Sequence, residues 1–128
     1  MHMADKVKLV RKHILASVAI SDHSVPAVIE HTRDVAEDVR AVTFKVLGSK
    51  VPMRSLSIEQ RAVVMRRGLE ERSANVKAAA VAMLKSWLEQ AGGEPEELLR
   101  AMDVETHEAV SELMLGWAML NVLKSSLS

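Results

Sequence analysis

The chain contains no cysteine and no tyrosine, and its aromatic side chains are limited to Phe44, Trp87 and Trp117. Without cysteine there is no disulfide framework and no thiol nucleophile, a composition expected of an intracellular protein. The longest unbroken apolar run is Ala78 to Leu84, far short of the ~20 residues needed to cross a bilayer, so no membrane span is expected. The first residues, "MHMADKVKLVRK", carry charge where a secretory signal has an apolar region; residues 1–4 read as an appended remnant. Only one aromatic stands in the first two-thirds of the chain, which argues against recognition of single strands by base stacking.

Charge of one sign is scarce in the second part. Met1 to Lys85 carries fifteen Lys and Arg against nine Asp and Glu, whereas Ser86 to Ser128 carries two against eight. The totals are equal, so net charge names no partner, but the excess of six positive charges before Ser86 points to an acidic partner or nucleic acid for that part. A chain of 128 residues suits one domain.

Alanine, leucine, methionine, glutamate, lysine and arginine are abundant, which favours helix. Starts are marked by Ser24 before Pro26, by Ser57 with Gln60 as a capping box, and by Pro95 in "EPEELL". Gly48, Pro52 and the pair Gly92 and Gly93 read as stops. Against this background one spacing recurs. Asp34, Val39 and Arg40 are matched by Asp5, Val10 and Arg11, by Glu71, Val76 and Lys77, and in part by Glu105, Val110 and Ser111. The valines are 29, 37 and 34 residues apart, room for a pair of short helices each time.

Apolar residues after each valine keep helical spacing: Val10, Ile14, Val18; Val39, Val42, Val46; Val76, Ala80, Met83; Val110, Leu113, Trp117. Each motif thus opens a second helix, near residues 7, 36, 74 and 107. Three of them follow a short amphipathic first helix, clearest at Ile58, Ala62, Met65 and Leu69. Neither helix of a pair can bury its stripe alone. The expectation is an all-α chain of seven helices, stacked as one short solenoid of three to four repeats over residues 1–128. Asp5, Arg11, Asp34, Arg40, Glu71 and Lys77 would then form a ladder of acid and base across adjacent units.

The pattern resembles the HEAT repeat, whose second helix often begins Val-Arg after a turn aspartate and ends Leu-Gly, as in "VRAVTFKVLG". The run "VPMRSLSIEQRAVVMRRGLEERSANVK", then "MLKSWLEQAGG" and "LLRAMDVET", is similar to the CAP-G family of non-SMC condensin subunits, from about Asp5 to about Leu120. Glu71 and Lys77 stand where the family has Asp and Arg, and Ser111 replaces the last base. Such subunits are many times longer, so the resemblance implies a piece of the N-terminal part of one. It also implies a HEAT superhelix that acts in mitotic chromosome condensation, in the nucleus and on chromosomes, with interphase cytoplasm also open. The implied partners are a kleisin subunit, the SMC complex and duplex DNA held in a basic groove.

Contacts to a phosphate backbone need Lys and Arg without stacking aromatics. Lys12, Lys45 and Lys85 sit off the apolar stripes of the second helices, and Arg54 lies in a loop; these four are the candidate DNA-binding residues. Arg61, Arg66 and Arg67 fall on a first helix and read as solvated on the convex side. Solenoid ends at Leu9, Ile14, Met119 and Leu123 are expected to expose apolar surface and to favour self-association. No catalytic residue, cofactor or metal site is expected: "HEAVS" lacks a second His at helical zinc spacing, His13, His23 and His31 show none, and "AGGEP" is no phosphate loop. Two alternatives remain at this stage. One is a HEAT adaptor that binds only proteins. The other is a small helical enzyme using Asp34, Glu71 and Glu105, which is disfavoured because acids recurring once per repeat lie in a row instead of converging.

Overall fold

The computed structural model describes residues 3–94, 97 and 100, with side chains from residue 6 onward. Five α-helices follow one another: α1 (Met3–Ser17), α2 (Val25–Glu30), α3 (Glu37–Ser49), α4 (Ile58–Leu69) and α5 (Ala74–Gln90), with short 3-10 turns at His31–Arg33 and Met53–Ser55. There is no strand among the described residues. Of the expected helix after Pro95 only Glu97 and Arg100 are described, and the expected helix near residue 107, with Val110, Leu113 and Trp117, lies outside the described residues.

Local chemistry sets the starts. Ser57 closes a full capping box with Gln60 at the head of α4, and the Ser73 side chain accepts the Val76 amide at the head of α5. Ser24 differs: it precedes α2, but its hydroxyl is engaged with Ser21 and the Ala19 carbonyl and caps nothing. The helix-ending role falls on Gly92 and Gly93, at φ 108° and 84°, with the Gly93 amide returning to the Leu88 carbonyl at 2.8 Å.

Gly48 was expected as a stop, and the structure corrects this. α3 runs through it to Ser49. A Cβ on Gly48 would lie 2.9 Å from Met83 Cα, so the missing side chain allows α3 and α5 to meet backbone to backbone.

Helices α1, α3 and α5 lie side by side and run the same way. Early residues meet early ones, as in the Lys8–Asp38 pair at 3.3 Å, and late residues meet late ones: Ser86 donates to the Gly48 carbonyl at 2.8 Å, and Lys50 reaches the Ala16 carbonyl. The short helices α2 and α4 form a second layer. Between the layers lie Val39, Phe44, Leu47, Val64, Met65, Val76, Met83, Leu84 and Trp87, all essentially inaccessible. Full burial of Phe44 or Trp87 contributes about 2–3 kcal/mol each, so this shared core dominates cohesion.

The expected stripe of α1 holds only in part. Val10 is 56% exposed, Leu9 and Ile14 are exposed as expected of a solenoid end, Val18 packs against the core from beyond the helix end, and Leu15 is buried in it. The matching Val39 and Val76 are buried because a first helix, α2 or α4, accompanies α3 and α5. Among the described residues no such helix precedes α1.

Candidate nucleic-acid interface

The recurring acid and base meet across units. Arg11 donates from Nε and Nη2 to the Asp34 carboxylate at 2.8 and 2.9 Å, and Arg40 donates from Nε and Nη2 to Glu71 at 3.0 Å each. Each acid sits in the turn before a second helix and also accepts a backbone amide two residues on: Ala36 for Asp34, Ser73 for Glu71. Arg40 Nη1 turns back to the Asp34 carbonyl at 2.8 Å. The fixed offset therefore lets one guanidinium bind its own turn's backbone and the next turn's carboxylate. Burial pushes both carboxyls upward. The Arg11 hydrogen bond, the Ala36 amide and His31 together outweigh it at Asp34, and Arg40 with the backbone amides does so at Glu71, so both lie below the ordinary carboxylate range. Lys77 is exposed on α5, and its counterpart Glu105, like the Asp5 side chain, lies outside the described side chains.

The face away from the first helices is different in character. Lys12 of α1 and Lys45 of α3 line one groove of about 500 Å³, beside Asp38 and Asn75 and over a floor that includes Ala41, Ala78 and Ala82. Lys85 is exposed seven residues after Ala78 and three after Ala82, on the same side of α5 but outside that groove. Arg54 is also apart, in a hollow of about 320 Å³ that includes Lys50, Ser49 and Gln90. The structure thus brings Lys12 and Lys45 together, extends their line towards Lys85, and leaves Arg54 at a separate place. None of these four side chains is engaged in an ion pair or hydrogen bond among the described residues.

Two arginines depart from expectation. Arg67 Nη1 donates to Thr32 Oγ1 at 2.9 Å and to the Ile29 carbonyl at 3.3 Å, while Arg61 Nε donates to the Met53 carbonyl at 3.0 Å. Both are half-buried because α4 packs along the end of α2 and over the Met53 turn. Burial and the neighbouring Arg33 lower the Arg67 pKa, partly opposed by Glu30. Arg66 does remain exposed, 3.8 Å from Glu70. Sequence reasoning also missed Lys8, Lys50 and Asp38; the i, i+4 relation of Lys8 to Lys12 was the available signal. Among the described residues no group of three or more His, Asp or Glu is placed to hold a metal ion, and no helix is long and apolar enough to cross a membrane.

Comparison with known proteins gives no matching family model. Individual relatives do match. Condensin complex subunit 3 of Homo sapiens is 38% identical over 108 residues, covering 84% of this chain and 11% of that protein. The Xenopus laevis protein of the same name is 38% identical over 103 residues, covering 80% and 10% respectively. That of Schizosaccharomyces pombe is 33% identical over 108 residues, covering 83% and 12%. The chain therefore spans about a tenth of the length of the curated relatives it matches. Among solved structures, the crystal structure of the Schizosaccharomyces pombe condensin Cnd3-Cnd2 subcomplex superimposes with a TM-score of 0.82 at 31% identity, covering 92% of this chain and 16% of that one.

Proposed function

Because the chain belongs, over the stretch compared, to the family of condensin complex subunit 3, we propose that this HEAT-repeat segment is a non-catalytic scaffold in mitotic chromosome condensation. In this reading it holds duplex DNA by the phosphate backbone on the face of its second helices, together with a kleisin subunit and within an SMC complex, in the nucleus and on chromosomes. The supporting observation is the pair Lys12 and Lys45. They come from successive second helices, open onto one alanine-floored groove, and are not committed to other groups among the described residues. A floor of small side chains lets a backbone approach, and lysine supplies the charge that phosphates need without selecting a base. The kleisin partner is supported by the solved relative, a subcomplex of Cnd3 with Cnd2.

The test is a titration of duplex DNA at several salt concentrations. A short array makes few phosphate contacts, so binding is expected in the non-specific range of roughly 10⁻⁴ to 10⁻⁶ M, indifferent to sequence and steeply salt-dependent. Joint replacement of Lys12, Lys45 and Lys85 by Glu lowers affinity and flattens the slope of log K against log salt. The matched control is Arg33, Arg66 and Arg72 changed to Glu, all exposed and set on the first helices and their turns; Arg61 and Arg67 are unsuitable because they hold the fold. Equal losses in both triple variants mean that only overall charge matters. A wild type without salt-sensitive binding favours the adaptor that binds only proteins.

A further inference from the structure

We propose that Asp38 is a built-in restraint on this face: a carboxylate in the phosphate track that holds duplex DNA binding below what the lysines alone would give. The inference rests on the DNA reading above and concerns its regulation.

Asp38 lines the same groove as Lys12 and Lys45, and its carboxylate lies 3.3 Å from Lys8 Nζ. It therefore acts twice: it holds Lys8, one turn before Lys12 on α1, and it repels any phosphate entering the groove. The array supplies its own comparison. Val39 and Val76 occupy equivalent positions, so the residues before them, Asp38 and Asn75, are equivalent too, and Asn75 lines the same groove. The two side chains have the same shape and differ in charge.

A purely structural role for the carboxylate is weakly supported. The Lys8–Asp38 pair is 30% and 47% exposed, a setting in which ion pairs add little to stability. Asp38 stands in the first turn of α3, where an acid favours the helix dipole, but Glu37 beside it meets the same need. Helix α5 carries no acid in its first turn and still extends for 17 residues.

The experiment uses the whole chain and a fluorescently labelled mixed-sequence duplex, with anisotropy followed over a salt series. Asp38→Asn is expected to tighten binding about two- to fivefold at low salt, the Coulomb effect of one charge several ångströms from phosphate in water. The gain fades at high salt, and the slope of log K against log salt steepens by up to about one contact as Lys8 is released. Asn75→Asp, which adds a second carboxylate at the equivalent position, is expected to weaken binding by a similar factor and tests the idea should Asp38→Asn fold poorly. Glu59→Gln changes net charge equally on α4 and is expected to change nothing. If wild type binds with salt dependence but both groove variants behave like Glu59→Gln, the role of Asp38 is overturned and the DNA reading stands. If neither wild type nor any variant shows salt-dependent binding, the DNA reading itself has failed.

Discussion

Arg40→Ala removes, in one truncation, two hydrogen bonds to Glu71 at 3.0 Å and a third to the Asp34 carbonyl at 2.8 Å. It leaves the Glu71 carboxylate, only 9% exposed, without its counter-ion. Exposed pairs are worth about 0–1 kcal/mol, and breaking a fully buried pair costs about 3–5. With Arg40 at 21% exposure, the loss should fall between, at about 2 kcal/mol, which for a chain of this size lowers the melting temperature by about 6 to 12 °C. Arg40→Lys keeps the charge but loses the two-pronged geometry, so an intermediate loss is expected. The assay is urea and thermal unfolding of both variants beside wild type. A second reading comes from pH. The Glu71 pKa is lowered on folding, so its contribution is present in full above its unfolded value, near the ordinary 4.5, and disappears as pH falls through the folded value. The gap between wild type and Arg40→Ala should therefore narrow below about pH 4.5. A melting temperature unchanged within about 1 °C would refute the ladder as a stabilising element.

Asp34 follows the same sign. Its pKa is lowered, so Arg11→Ala should cost stability at neutral pH and progressively less as pH drops through the region below the ordinary 3.8; a loss constant down to pH 2 would argue for packing over charge. Gly48→Ala forces a methyl within 2.9 Å of Met83 Cα, and separating α3 from α5 should cost about 1–3 kcal/mol, read as a fall in the urea midpoint; an unaltered midpoint would mean the contact is slack. The exposed apolar side of α1, with Val7, Leu9, Val10 and Ile14 at 48 to 56% exposure, should drive weak self-association. Sedimentation should show it at high concentration for wild type and not for Ile14→Glu, and a strict wild-type monomer would contradict it.

Much of this architecture was legible because it obeys local rules. The capping box at Ser57 and Gln60, the double glycine after α5 and the valines at the heads of α3 and α5 depend on neighbours within one turn. What was not legible depends on contacts between units. Gly48 looks like a stop in a single helix, and only the arrival of Met83 from α5 shows why the side chain is missing. Arg67 and Arg61 look solvated on an isolated α4, and become half-buried once α2 and the Met53 turn pack alongside. Val10 keeps the correct period for burial yet is exposed, because among the described residues no first helix packs against it, and periodicity records what a face is fit for and not whether a partner is there. Alignment of the second helices placed Lys12 and Lys45 on one face, where they line one groove, whereas Asp38 in the same groove was not anticipated because phosphate contacts call for cations only.

Ladder and groove positions are separated by one residue of sequence. Arg11 belongs to the ladder and Lys12 to the groove; Arg40 belongs to the ladder and Ala41 to the groove; Lys77 is followed by Ala78, again in the groove. A single step along a helix rotates the side chain by about 100°, enough to carry it from the seam between units to the open face. The residue types suit their places. A guanidinium has a planar fork that fits a carboxylate and a carbonyl at fixed positions, as at Arg40. An ammonium on a flexible stem is a mobile point charge, which under the proposed function suits a phosphate chain of no fixed register. Because the same helices carry both, the ladder that sets the register of α1 against α3 and of α3 against α5 also sets the spacing of the charges on the open face.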